Sequence, residues 1–197
     1  MPSTKLRIRA SVLALSLAAS GFLAAGCGSD NGASPNTTQT SAASEAHNQA
    51  DIHFLQMMYP HHAQAIQMAD LVNDRTDNQQ VRSLAADIKK NQGPEMQQIA
   101  GMLQQWGQPA PTAGASAHSS MTGMLSPQQL DALKAAKGAD FDKQWLQSMI
   151  EHHLGAIEMA KTEIAEGTNP QAIKLARAIV TGQQSEVDQM RTMLGER

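Results

Sequence analysis

Two histidine pairs, His61-His62 and His152-His153, stand at the same place in a repeated run. The run is Met-x-x-His-His-x-x-Ala-Ile-x-Met-Ala, at Met58 to Ala69 and again at Met149 to Ala160. Imidazole nitrogens and thioether sulfurs are donors for soft or borderline metal ions, and a repeat that keeps both types together points to metal ligation. Each copy continues into Leu-Ala-x-x-Ile-x-x-x-Gln-x-x-Glu, Leu84 to Glu95 and Leu175 to Glu186, which adds a carboxylate. Laid over one another without a gap, residues 51–106 and 142–197 agree at 20 of 56 positions, where typical residue frequencies give about three or four. The candidate metal ligands are therefore His61, His62, His152 and His153, the methionines Met58, Met149, Met68 and Met159, and the carboxylates Glu95 and Glu186.

Ligand softness selects the metal. Neutral imidazole with thioether suits copper, Cu(I) above all, better than magnesium or calcium, which require clustered oxygens. Zinc is the competitor, because histidine and glutamate can complete its tetrahedron. A di-iron centre of the carboxylate type needs Glu-x-x-His on two helices; Met58 and Met149 occupy those glutamate positions, so oxidase chemistry is disfavoured. The alternative is packing. Methionine fills helical cores well, and a buried histidine can be satisfied by a glutamate without any metal. His47, His53 and His118, with Met121 and Met124, read as tether or connecting residues. Of these, His118, Met121 and Met124 offer a secondary copper-capturing site.

The elements that position these groups are helices. Phe54, Leu55, Met58, His62, Ala65, Ile66 and Ala69 advance by three and four residues along one face, as do Val81, Leu84, Ala85, Ile88, Gln92, Glu95, Ile99 and Met102. The polar stretch Asn73 to Asn78 between them is short, so the two helices form an antiparallel hairpin. The second copy repeats this around Gly167, Asn169 and Pro170. Counting back from the first turn places His61 level with Gln92 and Glu95, and the same construction places His152 level with Gln183 and Glu186. Between the copies, residues 107–139 form a long connection with a short helix starting at Ser126-Pro127. Each hairpin alone leaves an apolar stripe exposed, so the fold expected is all-α, a four-helix bundle of two repeated hairpins over residues 47–197.

Residues 1–26 read as an export signal. Lys5, Arg7 and Arg9 precede an apolar run, Ala10 to Leu23, too short to span a bilayer, and Ala24-Ala25-Gly26 lead into Cys27, the sole cysteine. A lone cysteine excludes an internal disulfide and a thiolate-rich cluster. Its position resembles a lipobox, which makes Cys27 the expected lipidation site and the membrane an expected partner, with the protein held outside the cytoplasm. Residues 27–46 are the flexible tether. Removing the leader takes away three cations and changes the formal charge of −3 to −6, which leaves no basic stripe for nucleic acid. No phosphate loop, nucleophile elbow or Cys-His couple is present.

Together, Asp51-x-x-Phe54-x-x-x-Met58-x-x-His61-His62-x-x-Ala65-Ile66-x-Met68-Ala69 and its copy from Asp142 to Ala160 resemble the bacterial "domain of unknown function 305" family. The resemblance covers nearly all of residues 47–197. It implies a ferritin-like bundle, export to the cell envelope and, for some members, copper binding in metal handling or tolerance.

Overall fold

The computed structural model describes residues 46–109, 112 and 121–196. Helix α1 spans Gln49–Leu71 and is started by Asn48. The Asn48 side chain accepts from the Asp51 amide at 3.0 Å, while the Asp51 carboxylate accepts from the Asn48 amide at 2.6 Å. This reciprocal box satisfies two amides that have no partner within the helix. A 3-10 turn, Val72–Asp74, leads to Asn78, whose side chain accepts from Gln80 and Val81 and opens α2, Gln79–Gln105. Helix α3, Pro127–Ala135, lies in the connection; α4 spans Gly138–Glu166 and α5 Pro170–Met193. Ser126 and Asn169, each followed by proline, cap α3 and α5.

Helices α1 and α2 form one hairpin and α4 and α5 the other, with α1 packed on α4 in the middle. This is the all-α four-helix bundle that the repeat predicts. Three long-range bonds, at the two ends of the seam, fix α1 and α4 as antiparallel. Trp145 donates from its indole nitrogen to the Met68 carbonyl at 3.0 Å, and Asp51 accepts from the Thr168 and Asn169 amides at the opposite end. Pro60 and Pro94 stand inside α1 and α2, where each removes one helical N–H. No described helix is long and apolar enough to cross a membrane.

The apolar core is in two pieces. One gathers Met68, Val81, Leu84, Ile88, Trp145 and Met149 with Leu130 and Leu133 of α3. The other gathers Phe54, Leu55, Met58, Ile99, Leu103, Leu175 and Ile179. The four repeat histidines belong to neither, although all are fully or almost fully buried. Burying polar groups is unfavourable unless they are bonded, so a polar layer kept at the centre of a bundle points to a use beyond packing.

Candidate metal centre

Neighbours on a helix point about 100° apart, and α1 and α4 each use that angle to face two seams at once. His61 and His152 turn toward one another across the α1–α4 seam, ring centroids 3.8 Å apart and planes inclined by 45°. His62 and His153 turn into their own hairpins. His62 Nε2 lies 2.7 Å from Glu95 Oε2, and His153 Nε2 lies 2.7 Å from Glu186 Oε2. The identical distances show the repeat folded as two equivalent halves. They also correct the register expected from the turns by one residue: His62 and His153, not His61 and His152, meet the glutamates. Counting from a turn gives the level along a helix, not which of two adjacent side chains faces the partner.

Much of the hydrogen-bonding capacity of the layer is unused. Nδ1 of all four histidines, and Nε2 of His152 as well, is buried without a hydrogen-bond partner, as are both side-chain polar atoms of Gln92 and Oε1 of Gln183. His61 Nε2 approaches the Thr122 carbonyl at 3.4 Å. Burial, reinforced by the neighbouring imidazoles, pushes His61 down to about 3 and His152 well below the ordinary 6.5. Both rings are therefore neutral at physiological pH, the form that can donate a lone pair to a metal.

One side of the layer is covered. The segment from Met121 to Leu125 crosses α1 and α4, held by a two-way clamp: Gln64 Nε2 donates to the Leu125 carbonyl at 3.0 Å and the Leu125 amide donates to Gln64 Oε1 at 2.8 Å. The repeat position equivalent to Gln64 is Gly155, where any Cβ would collide with the Thr122 carbonyl oxygen. The opposite side is open. Helices α2 and α5 leave a groove of about 430 Å³ between them, lined by Gln92, Glu95, Ile179, Gly182, Gln183 and Glu186 among others. Glu95 and Glu186 keep 21% and 12% of their side chains in solvent, so this groove joins solvent to the two His–Glu pairs. Asn91 bridges it by donating to Glu186 Oε1 at 3.0 Å.

Not every expected ligand joins this layer. Among the described residues, no three His, Cys, Asp or Glu side chains are arranged to enclose a metal ion. Met58, Met68 and Met149 are fully buried, but Met58 packs in one apolar cluster and Met68 with Met149 in the other. The methionines expected as ligands are thus divided between the apolar clusters on either side of the histidines. Met159 sits half-buried at the edge of the Met58 cluster. His53, read from sequence as a tether residue, lies in α1, and His47 stacks on Trp106 at 4.2 Å. Cys27 and His118 lie outside the described residues, while Met121 and Met124 belong to the covering segment.

The profile of the DUF305 family, a domain of unknown function, matches residues 51–194. The chain belongs to the DUF305 family. Similar solved DUF305 structures include a fragment from Deinococcus radiodurans, 35% identical with a TM-score of 0.69 over 75% of this chain and 97% of that one. A candidate secreted protein from Streptomyces coelicolor is 34% identical, with a TM-score of 0.68 over 74% and 91%. CopM, solved in Cu(I)-bound and Cu(II)-bound forms, is 30% and 31% identical, with TM-scores of 0.61 and 0.64 over 73% of this chain and 94% of CopM. A curated relative, the uncharacterized protein L153 of Acanthamoeba polyphaga mimivirus, is 41% identical over 56 residues. That match spans 28% of this chain and 37% of the viral protein, little more than a third of its length.

Sequence reasoning missed two features of this DUF305 chain. One is the covering segment, whose signal was the Gln64/Gly155 mismatch inside an otherwise well-kept run. The other is a buried acidic pair at the α1 start. Asp51 is held below the ordinary carboxylate range; burial alone would raise it, but hydrogen bonds from Asn48, Glu163, Asn169 and Thr168 outweigh that. Glu163, buried and facing Asp51, is pushed up to about 8.

Proposed function

We propose that this DUF305 protein binds copper at the histidine layer, on the outer face of the cell membrane and tethered through acylated Cys27, in a buffering or tolerance role. The observation that carries the reading is the meeting of four buried imidazoles whose Nδ1 atoms have no partner, two of them held neutral by burial. An unsatisfied buried nitrogen is unfavourable by about 1–3 kcal/mol, and a layer that keeps several has a destination for their lone pairs. The glutamates fit an orienting role. A metal-binding histidine commonly gives its other ring nitrogen to a carboxylate, and Glu95 and Glu186 take Nε2 of His62 and His153 in that way, leaving Nδ1 without a partner. Met58 and Met149, one turn before the pairs, are the soft donors on either side. CopM, which shares the fold, has been solved with Cu(I), Cu(II) and silver bound, and that supports copper. The basic start, the apolar run and Cys27 support the tether.

Elemental analysis after copper loading and desalting tests this on untagged protein. Wild type should retain copper, and a variant with all four repeat histidines changed to Gln should retain none at the layer. Equal retention in two folded proteins overturns the reading. The His62–Glu95 and His153–Glu186 bonds favour one other reading, a structural polar layer satisfied by carboxylates, which expects equal retention and a loss of stability in the variant.

A further inference from the structure

A second cluster of soft donors lies away from the histidine layer, at the end of the α1–α4 seam that holds Asp51. His53 and Met57 are four apart on α1, and Met159 and Glu163 four apart on α4, so each pair shares a helix face. The two pairs meet across the antiparallel seam, where they line one cavity with Phe54 and Glu166. The cavity holds about 150 Å³. That is some five times the roughly 30 Å³ a water molecule occupies in the liquid, and well under the roughly 300 Å³ where pockets for organic ligands begin. Its size therefore fits an ion with a few waters.

The lining is unusual for an accidental hollow. Met57 and Met159 are half-exposed, where methionine contributes little to a core, and His53 is exposed beside them. Glu163 is 1% exposed, and beyond the Asp51 carboxylate its carboxyl has no hydrogen-bond partner. A carboxyl buried there is unfavourable as an anion unless a cation stands beside it. The repeat gives an internal comparison. The equivalent positions at the other end of the seam are Gln144, Ser148, Met68 and Val72, a set with one soft donor and no acid. The cluster is therefore a property of one end, not a by-product of the repeat.

We infer that Met57, Met159 and His53 form a second site for a soft monovalent cation of the Cu(I) and Ag(I) class, with the Glu163 carboxyl, which releases its proton as the cation enters, as its counter-charge. Two thioethers with one imidazole select such ions over zinc, magnesium or calcium. The site stands at the surface and shares no residue with the four-histidine layer, so it is filled independently of the copper reading above.

The test is a titration of the full chain with Ag(I), followed by NMR of methionine ε-methyl groups, in wild type and in His61→Gln with His152→Gln. Met57→Leu and Met159→Leu assign the signals, and these swaps conserve volume closely enough to keep the fold. Signals of Met57 and Met159 should shift together and saturate together in both proteins. Met57→Leu should abolish the shift of the Met159 methyl and lower the bound silver by one ion per chain, with the unfolding midpoint unchanged. Retained Met57 and Met159 shifts in the histidine variant support this site even where the layer no longer binds. The inference is overturned if these two methyls stay still at silver concentrations that shift Met58 and Met149, or if Met57→Leu leaves the Met159 shift intact. The leucine variants on the wild-type background decide the matter by themselves if the histidine variant does not fold.

Discussion

His61 and His152 face each other at 3.8 Å between ring centroids, and their shared burial governs how this protein responds to acid. Burial disfavours a charge on either ring and the neighbouring imidazoles add to this, so both stay neutral where a free histidine would be protonated. The folded values lie below the unfolded 6.5, so between about 6.5 and about 3 the unfolded chain binds more protons than the native one. Their contribution to stability is present above pH 6.5 and is lost as pH falls toward 3. Denaturant midpoints followed by circular dichroism from pH 7 to pH 4 should drop more steeply for wild type than for His61→Gln with His152→Gln. Parallel curves would show that these rings titrate normally.

Glu163 has the opposite sign. Its folded value of about 8 lies above the ordinary 4.5, because burial and the neighbouring Asp51 disfavour its charge. The native state then holds a proton that the unfolded state has released, and stability declines as pH rises from about 4.5 through about 8. Glu163→Gln keeps the neutral shape and should flatten that decline. Thermal midpoints at pH 5 and pH 8 measure it, and an unchanged slope in the variant would refute the assignment.

The covering segment predicts a contrast between glycines. A Cβ at Gly155 runs into the Thr122 carbonyl, and one at Gly123 would lie 2.6 Å from the Glu151 carbonyl oxygen on a backbone with φ +84. Gly155→Ala should therefore destabilise by about 1–3 kcal/mol, as overpacking does, and expose the histidine layer on its covered side. Gly101, inside α2, has nothing within 4 Å of an added Cβ. Gly101→Ala should stabilise by about 0.5–1 kcal/mol. Chemical denaturation of the two variants checks both signs, and a harmless Gly155→Ala would mean that the segment does not pack against α4.

The sequence repeat marks what the two copies share, and that explains which features could be read from it. The hairpins, the polar turn before Asn78 and the pairing of each histidine pair with a glutamate all occur twice, so their periodicity and spacing were legible. The register was not, because His61 and His62 sit at nearly the same level and only the packing of α1 against both α2 and α4 decides which one meets Glu95. Features that one copy alone carries were also hidden. Gln64 and Gly155 differ because a single connection crosses one face of the bundle. Met57 and Met159 meet although one comes from each copy, a pairing between residues 102 apart that follows only once α1 and α4 are known to be antiparallel.

Copper held at the histidine layer is tested by the Cu(I) affinity of wild type and of His61→Gln with His152→Gln, each shown to be folded, measured by competition with a chromophoric chelator under reducing conditions. Met57→Leu is included in both proteins so that the second site does not contribute. Removing two of the soft or borderline donors in the layer should weaken binding by at least tenfold, equivalent to about 1.4 kcal/mol. Indistinguishable affinities in two folded proteins would contradict copper binding there and leave the four histidines as a structural layer.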